Sequence, residues 1–174
     1  MIKTPVCQIV GYKNSGKTTF MSRLIEYYTS KGFTVGALKH HGHGGEPAAM
    51  DARETDSGKH SNAGATISGV QGESRLQLSF DHNSPMDLTD ILRMYELSGP
   101  DIILVEGYKD ASFPKVVLLK ESEDEQLLQD VTHTVAIGSR NKDLLHNRKL
   151  YTIPLLEIED RIDDIATYIQ NKVF

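Results

Sequence analysis

The chain has 174 residues, a length that suits one domain with room for an insertion. Its 19 basic and 24 acidic side chains give a formal charge of −5, whereas nucleic-acid-binding proteins usually gather Lys and Arg on one face. We therefore expect no nucleic-acid partner. The aliphatic runs are far shorter than the roughly 20 residues of a membrane helix, and the single cysteine suits a reducing compartment. These features predict a cytoplasmic protein with no membrane partner.

Strand and helix patterns alternate along the chain in the way that is typical of a mostly parallel sheet. Short β-branched and aliphatic runs predict strands at 5–10, 33–39, 101–106, 115–119, 133–137 and 151–155. Apolar residues at helical spacing predict helices at 17–31 and 87–97 and a final helix with apolar residues from Ile158 to Val173.

Three segments depart from this alternation. Residues 40–65 form a connection so long that it suggests a functional loop, and its second half, 51–63, can form a short polar helix. Residues 66–70 and 75–80 predict an antiparallel hairpin at one edge of the sheet, because apolar and polar side chains alternate in the second run. The acidic run 121–130 is predicted to be a solvated loop.

A phosphate-binding motif follows the first predicted strand. Residues 11–18 read GYKNSGKT and match the pattern G-x-x-x-x-G-K-[ST]. The glycines let backbone N–H groups surround phosphate oxygens, and the N-terminus of the next helix adds partial positive charge. In this scheme Lys17 contacts the β- and γ-phosphates and Thr18 holds Mg²⁺. The residues expected to contact the nucleotide are Gly11, Asn14, Ser15, Gly16, Lys17, Thr18 and Thr19.

This motif, with a strand before it and a helix after it, sets the predicted fold. We expect a P-loop NTPase-like α/β fold in which helices cover both faces of a mostly parallel sheet and an antiparallel hairpin lies at one edge. Residues 1–174 are predicted to form a single P-loop nucleotide-binding domain.

Two carboxylates are candidates for catalysis. Ligands of such sheets bind beyond the carboxyl ends of the strands, and Glu106 ends the strand at 101–106. We therefore expect Glu106 to bind Mg²⁺ or its water shell, with a capping or salt-bridging role as the alternative. Asp56, in the long connection, is the second candidate for a metal ligand or a water-orienting group.

A candidate guanine-recognition sequence follows the strand at 133–137. Many GTPases carry N-K-x-D at this place, because an Asp carboxylate accepts hydrogen bonds from the guanine ring N–H and amino group. Here the sequence is Asn141-Lys142-Asp143, so the Asp comes one residue early. Asn141 and Asp143 are therefore candidate nucleotide ligands, and a plain polar turn is the alternative.

Four histidines lie close together in the sequence: His40, His41, His43 and His60. Imidazoles in such numbers can bind Zn²⁺ or Ni²⁺. No cysteine accompanies them, and adjacent histidines rarely converge on one tetrahedral ion. Contact with an anionic ligand or a partner protein, or a solvated loop, are the other interpretations.

The motifs together resemble the molybdopterin-guanine dinucleotide biosynthesis protein B (MobB) family. The resemblance rests on residues 11–19, on Lys39-His40-His41, on Asp56-Ser57 followed by 63–65, and on residues 105–109, which read VEGYK. It implies a dimeric P-loop protein that binds GTP with Mg²⁺, hydrolyses it slowly, and assists the guanylyltransferase that joins GMP to molybdopterin. The resemblance implies that Gly11, Gly16, Lys17 and Thr18 bind phosphates and Mg²⁺, that Glu106 lies by the nucleotide, and that Asp56 belongs to a switch-like segment. Molybdopterin is a further candidate ligand.

Two other functions stay open from the sequence. An ATP-dependent small-molecule kinase would close a basic lid over the phosphates, to which Arg140 and Arg148 could belong. A GTP-dependent metal chaperone would use His40, His41 and His43. A homodimer is expected from the family resemblance, and the hairpin offers an edge for pairing.

Overall fold

The computed structural model describes residues 2–41, 55–81, 86–146, 151–159 and 161–174. Contacts divide the chain into two compact units. The P-loop unit comprises Met1–Gly42 and Leu88–Phe174, and the inserted unit comprises His43–Asp87. The expectation that residues 1–174 act as one nucleotide-binding domain stays a prediction.

Eight strands occur in the described ranges: β1 (Val6–Gly11), β2 (Val35–Lys39), β3 (Ile67–Gln71), β4 (Leu76–Phe80), β5 (Ile102–Glu106), β6 (Lys115–Leu119), β7 (Thr134–Ser139) and β8 (Leu155–Glu157). Six of them form the sheet of the P-loop unit, in the spatial order β2-β5-β1-β6-β7-β8. Every neighbouring pair in this sheet is parallel. All residues of β5 and β6 are buried, which explains why both strands are rich in aliphatic residues.

Six α-helices lie in the same ranges: α1 (Lys17–Ser30), α2 (Asp56–Asn62), α3 (Leu88–Glu96), α4 (Leu127–Asp130), α5 (Lys142–His146) and α6 (Ile162–Val173). The helix α1 buries Phe20, Leu24 and Tyr28, which recur every fourth residue and so form one stripe. It ends just before Gly32, whose φ of +86° places it in the left-handed region. None of the helices in the described residues has the length and apolar character that crossing a bilayer requires.

The helices cover both faces of the parallel sheet. On one face α1 and α6 share a hydrophobic cluster, in which the Tyr28 hydroxyl donates to the Ala166 carbonyl oxygen at 2.9 Å. On the other face α3, α4 and α5 bury Leu92, Leu127 and Leu144. These side chains pack against the strand residues that point away from the first cluster, since successive side chains of a strand point to opposite faces. The predicted α/β architecture is thus confirmed.

The inserted unit contains α2 and the hairpin of β3 and β4. The strands are antiparallel, with Ile67 opposite Phe80, and a 2.8 Å hydrogen bond from Ser61 Oγ to Ser68 Oγ joins α2 to β3. The hairpin differs from its predicted place, because it forms a two-stranded sheet of its own instead of an edge of the larger sheet. Side-chain alternation determines which faces pair within a hairpin, but it does not determine whether a further strand joins it.

Two further expectations are wrong. The acidic run 121–130 is not a solvated loop but a 3₁₀ helix, Ser122–Gln126, followed by α4. Its start is capped by Asp124, whose carboxylate accepts from the Lys120 backbone N–H at 2.7 Å, and Leu127 enters the core. The last strand lies later than residues 151–155, because the residues hydrogen-bonded to β7 are Leu155–Glu157.

Candidate functional site

The carboxyl ends of the parallel strands bring the predicted site residues of the P-loop unit to one edge of the sheet. Glu106, at the end of β5, is in register with Ile9 of β1 and with Lys39 of β2. Gly11, at the end of β1, is in register with Leu118 of β6. Since β1 lies between β5 and β6, the loop that follows it lies beside Glu106.

The loop between β1 and α1 has the backbone shape of an anion-binding loop. Asn14 and Gly16 have φ angles of +63° and +90°, and such left-handed residues turn successive N–H groups into one concavity. Ser15 is 4% exposed, and its Oγ has no hydrogen-bond partner among the described residues. A buried hydroxyl without a partner is costly unless a ligand accepts its hydrogen bond. Thr18 and Thr19 are exposed in the first turn of α1.

Lys17 lies over this loop. Its Nζ donates to the carbonyl oxygens of Gly11 at 2.9 Å and Tyr12 at 2.7 Å. Burial lowers the pKa of Lys17, Glu106 opposes that shift, and the positive charge of Lys39 adds to it. The ammonium is thus held next to the concavity, where phosphate oxygens would replace the carbonyls as acceptors.

Close contacts surround two glycines of the loop. A Cβ on Gly11 would lie 2.5 Å from Ser15 Oγ and 2.8 Å from the Leu118 carbonyl oxygen. A Cβ on Gly16 would lie 3.3 Å from Arg140 Nη2, so the Arg140 guanidinium lies directly against the loop. Arg140 also pairs with Glu159 at 3.7 Å. The contact with the Leu118 backbone explains glycine at position 11, and the φ of +90° explains it at position 16.

Thr18, Glu106 and Lys39 meet at the amino end of α1. Thr18 Oγ1 donates to Glu106 Oε2 at 3.1 Å, and Lys39 Nζ lies 3.2 Å from Glu106 Oε1. Glu106 is 7% exposed, so these partners offset the cost of burying its carboxylate. Hydroxyl and carboxylate oxygens are ligands that Mg²⁺ prefers, and Thr18 and Glu106 therefore fit the predicted metal.

The turn after Glu106 is held by a residue that the sequence analysis missed. Gln8, fully buried in β1, donates from Nε2 to the carbonyl oxygens of Gly107 at 3.0 Å and Tyr108 at 2.7 Å. These two residues have φ angles of +96° and +53°. A glutamine between aliphatic neighbours in a central strand is the sequence feature that could have revealed it, because a buried amide needs partners.

His40 packs against the same turn. Its ring stacks on the Tyr108 ring with the centroids 4.3 Å apart, and its backbone N–H donates to the Glu106 carbonyl oxygen at 2.9 Å. A Cβ on Gly107 would lie 2.9 Å from His40 Cβ. His40 therefore fixes the end of β2 against the end of β5.

Asn141 and Asp143 lie on the other side of the phosphate loop. Asn141 caps α5, because its Oδ1 accepts from the Asp143 backbone N–H at 2.9 Å while its Nδ2 donates to the Lys120 carbonyl oxygen at 3.1 Å. It lines a cleft of about 280 Å³ together with Ser15 and Arg140. It also lines a second cleft of about 530 Å³, where Asp143 is joined by two more carboxylates and Tyr151.

Tyr151 is a hydrogen-bond donor in the larger cleft. Its hydroxyl donates to Glu125 Oε1 at 2.6 Å. Burial and this carboxylate raise the pKa of Tyr151 to about 12, so the hydroxyl keeps its proton at neutral pH. The remaining carboxylate in the cleft besides Glu125 and Asp143 is Glu121.

Asp56, the histidines and Arg148 are the remaining candidate residues. Asp56 begins α2 in the inserted unit and pairs with Lys59 at 3.0 Å, so its role beside a nucleotide stays a prediction. Among the residues that the structure describes, no group of three or more His, Cys, Asp or Glu side chains is placed to hold a metal ion. His43 and Arg148, which the metal-chaperone and kinase interpretations need, lie outside the described residues.

Comparisons with known proteins agree with this fold. The family model described as "Molybdopterin guanine dinucleotide synthesis protein B" (MobB) matches residues 6–140. A Bacillus subtilis protein named "Probable molybdopterin-guanine dinucleotide biosynthesis adapter protein" is 40% identical over 159 residues, which cover 91% of this chain and 88% of that protein. The crystal structure of Bacillus subtilis MobB aligns with a TM-score of 0.81 at 35% identity, covering 98% of each chain. A MobB homologue from Bacillus stearothermophilus gives 0.72 at 29% identity over 97% of each chain. The resemblance is confirmed, and the chain belongs to the MobB family.

Proposed function

We propose that this chain is a GTP-binding adapter of molybdenum cofactor biosynthesis, which assists the attachment of GMP to molybdopterin. Relatives from Bacillus subtilis and Haemophilus influenzae carry names of molybdopterin-guanine dinucleotide biosynthesis adapter proteins. The observation that carries nucleotide binding is the phosphate loop, with the unpartnered Ser15 hydroxyl inside it and the Lys17 ammonium over it.

The phosphates would be bound by the loop from Gly11 to Thr19. Lys17 would exchange the carbonyl oxygens of Gly11 and Tyr12 for phosphate oxygens, which carry full negative charge. Thr18 and Glu106 would hold Mg²⁺, whose contribution is to neutralise charge on the phosphates. The first turn of α1 adds unpaired N–H groups that point toward the same place.

The base would lie beyond Asn141, toward the larger cleft. Asn141 lines both clefts, so it lies between the smaller cleft, which Ser15 lines, and the larger cleft, which Asp143 lines. Guanine presents a ring N–H and an amino group on one edge, and carboxylates accept hydrogen bonds from both. Adenine has no ring N–H on that edge, so the carboxylates of this cleft favour GTP over ATP.

Hydrolysis would be slow and secondary to the adapter role. Water would attack the terminal phosphate of GTP and release GDP and inorganic phosphate, with Glu106 or Asp56 orienting the water. In many GTPases an arginine supplied by a partner protein accelerates this step by a factor of about 10³–10⁵.

The partner that the adapter role implies is the guanylyltransferase, and molybdopterin is a candidate ligand.

A reconstituted reaction tests the adapter role. Guanylyltransferase, molybdopterin, GTP and Mg²⁺ are combined with or without this chain, and molybdopterin guanine dinucleotide is quantified over time. We expect the chain to raise the yield and its Lys17→Ala variant not to. An unchanged yield, with transfer of phosphate from ATP to the pterin instead, would favour the kinase interpretation and contradict this proposal.

We also propose that the chain forms a homodimer through the apolar face of the hairpin. Ile67, Leu76 and Leu78 point to this face and are 56%, 62% and 46% exposed. Exposed apolar side chains grouped in this way are typical of protein interfaces. A second copy presents the same face, and a two-fold interface is self-complementary.

Leu76→Asp is expected to convert the dimer into a monomer of 19.4 kDa, because the new charge would be buried without a partner. Light scattering after size-exclusion chromatography measures the mass directly. Leu97→Asp is the matched control, since Leu97 is 89% exposed at the end of α3 and outside the hairpin. A Leu76→Asp variant that keeps the dimer mass, or a wild-type chain that is monomeric, would contradict the proposed interface.

A further inference from the structure

We infer that Lys39 is a ligand for the terminal phosphate of the bound nucleotide, and that it makes the site prefer a nucleoside triphosphate over a diphosphate. The inference rests on the proposed nucleotide binding and adds a residue to it. Lys39 ends β2, outside the phosphate-loop motif.

The position of the Lys39 ammonium is the first observation. Its Nζ lies 3.2 Å from Glu106 Oε1 and 3.4 Å from Thr18 Oγ1. These are the two side chains that fit Mg²⁺, which in P-loop proteins bridges the β- and γ-phosphates. Arg140 follows β7 and Lys39 ends β2, and these strands lie on opposite sides of β1, so the two cations flank the phosphate loop from opposite sides, with Lys39 on the side of the residues that fit Mg²⁺.

The local charge balance is the second observation. The ammonium groups of Lys17 and Lys39 share one buried carboxylate, that of Glu106. Lys39 lowers the pKa of Lys17, as expected for two positive charges that repel each other at short range. One positive charge in excess favours an anion at this place.

Binding of a divalent cation would release Lys39 from its present partner. A metal ion held by Thr18 and Glu106 would repel a neighbouring ammonium, because like charges at close range repel each other strongly near a protein surface. The Lys39 side chain is 59% exposed, so its end is free to move. The terminal phosphate of a triphosphate would offer the Lys39 ammonium a new negative charge, and a diphosphate lacks this phosphate.

The base of the side chain is fixed while its end can move. In the parallel register of β2 and β5, the backbone of Lys39 lies opposite the backbone of Glu106. The next residue, His40, is fixed by its backbone hydrogen bond to Glu106 and by its stack on Tyr108. Lys39→Ala removes the ion pair with Glu106 but keeps these backbone and ring contacts and the Thr18 hydrogen bond to Glu106, so we expect the variant to fold, and Lys39→Arg keeps the ion pair as well.

The test measures dissociation constants for GDP and for a non-hydrolysable GTP analogue by titration calorimetry in Mg²⁺. A charge-assisted hydrogen bond contributes about 1.5–3 kcal/mol, which corresponds to a factor of about 10–100 in affinity. We expect Lys39→Ala to lose about that factor for the triphosphate analogue and to keep its GDP affinity within about twofold. Lys39→Arg should retain the preference because it keeps the charge. Lys31→Ala, which removes an exposed lysine at the far end of α1 and outside the phosphate loop, is the matched control.

Two outcomes would overturn the inference alone. If wild-type protein binds both nucleotides and Lys39→Ala leaves both dissociation constants unchanged, Lys39 does not recognise the terminal phosphate. If the variant loses both affinities equally, Lys39 acts through the shape of the site. Failure of wild-type protein to bind either nucleotide would instead contradict the proposed function together with the inference.

Discussion

Lys17→Ala is expected to abolish GTP binding while leaving the fold intact. The Lys17 ammonium is held within 3 Å of two loop carbonyl oxygens, so it is already aimed at the place where phosphate oxygens would lie. Its hydrogen bonds to phosphate would be charge-assisted, and losing two of them costs about 3–6 kcal/mol, or at least about 100-fold in affinity. The folded state loses only two hydrogen bonds to loop carbonyls, and burial disfavours the charged form of Lys17 anyway.

Titration calorimetry with GTP and Mg²⁺ measures this effect, and urea denaturation of the same sample shows that the variant is folded. Lys31→Ala provides the matched control, because it removes an equal charge from an exposed position at the far end of α1, outside the phosphate loop. We expect the control to bind GTP within a few-fold of the wild-type affinity. Wild-type affinity in Lys17→Ala would contradict the assignment of the phosphate site.

Gly11→Ala is expected to reduce both stability and nucleotide binding. The added methyl group would lie 2.5 Å from Ser15 Oγ and 2.8 Å from the backbone oxygen of Leu118. Ser15 can rotate, but Leu118 belongs to the central strand β6 and cannot move without disturbing the sheet. Overpacking of this kind costs about 1–3 kcal/mol in the free energy of unfolding. The loop must shift as well, which displaces the N–H groups that would bind phosphate.

Gly72→Ala is the matched control for this substitution. A Cβ on Gly72 would lie 3.7 Å from the Arg75 carbonyl oxygen, which is an ordinary contact. The change is expected to be neutral or to stabilise by up to about 1 kcal/mol, because alanine restricts the unfolded chain. Urea denaturation of both variants compares them directly. A Gly11→Ala protein as stable as Gly72→Ala would contradict the tight packing of the loop.

Much of the fold could be predicted from the sequence because local patterns carry it. The aliphatic runs of β5 and β6 can be satisfied only by a strand that is buried on both faces. The four-residue spacing from Phe20 to Tyr28 likewise determines the buried stripe of α1. The helical structure of the acidic run 121–130 could not be predicted from a local pattern. Its helical turn depends on a cap from Asp124 and on a core position for Leu127, which only the assembled sheet provides.

The candidate site shows the same division. The sequence was sufficient to predict that the phosphate loop and Glu106 lie at one edge of the sheet. The loop follows from a motif, and the place of Glu106 follows from the direction of parallel strands. The ion pair of Lys39 with Glu106 depends on the register between β2 and β5, which the sequence does not reveal. The packing of Arg140 against Gly16 depends on how the loop after β7 approaches α1. Both are tertiary contacts between segments far apart in the chain.

Thermal unfolding of the wild-type chain with Mg²⁺ and either GTP or ATP tests the central claim most directly, namely that this loop binds a guanine nucleotide. A ligand at about 100 times its dissociation constant stabilises the native state by about 2.7 kcal/mol. For a chain of this size that corresponds to a rise of about 5–11 °C in Tm. We predict that rise with GTP, little change with ATP, and no rise with GTP in Lys17→Ala. A rise with ATP alone, or none with either nucleotide, would contradict guanine-nucleotide binding at this site.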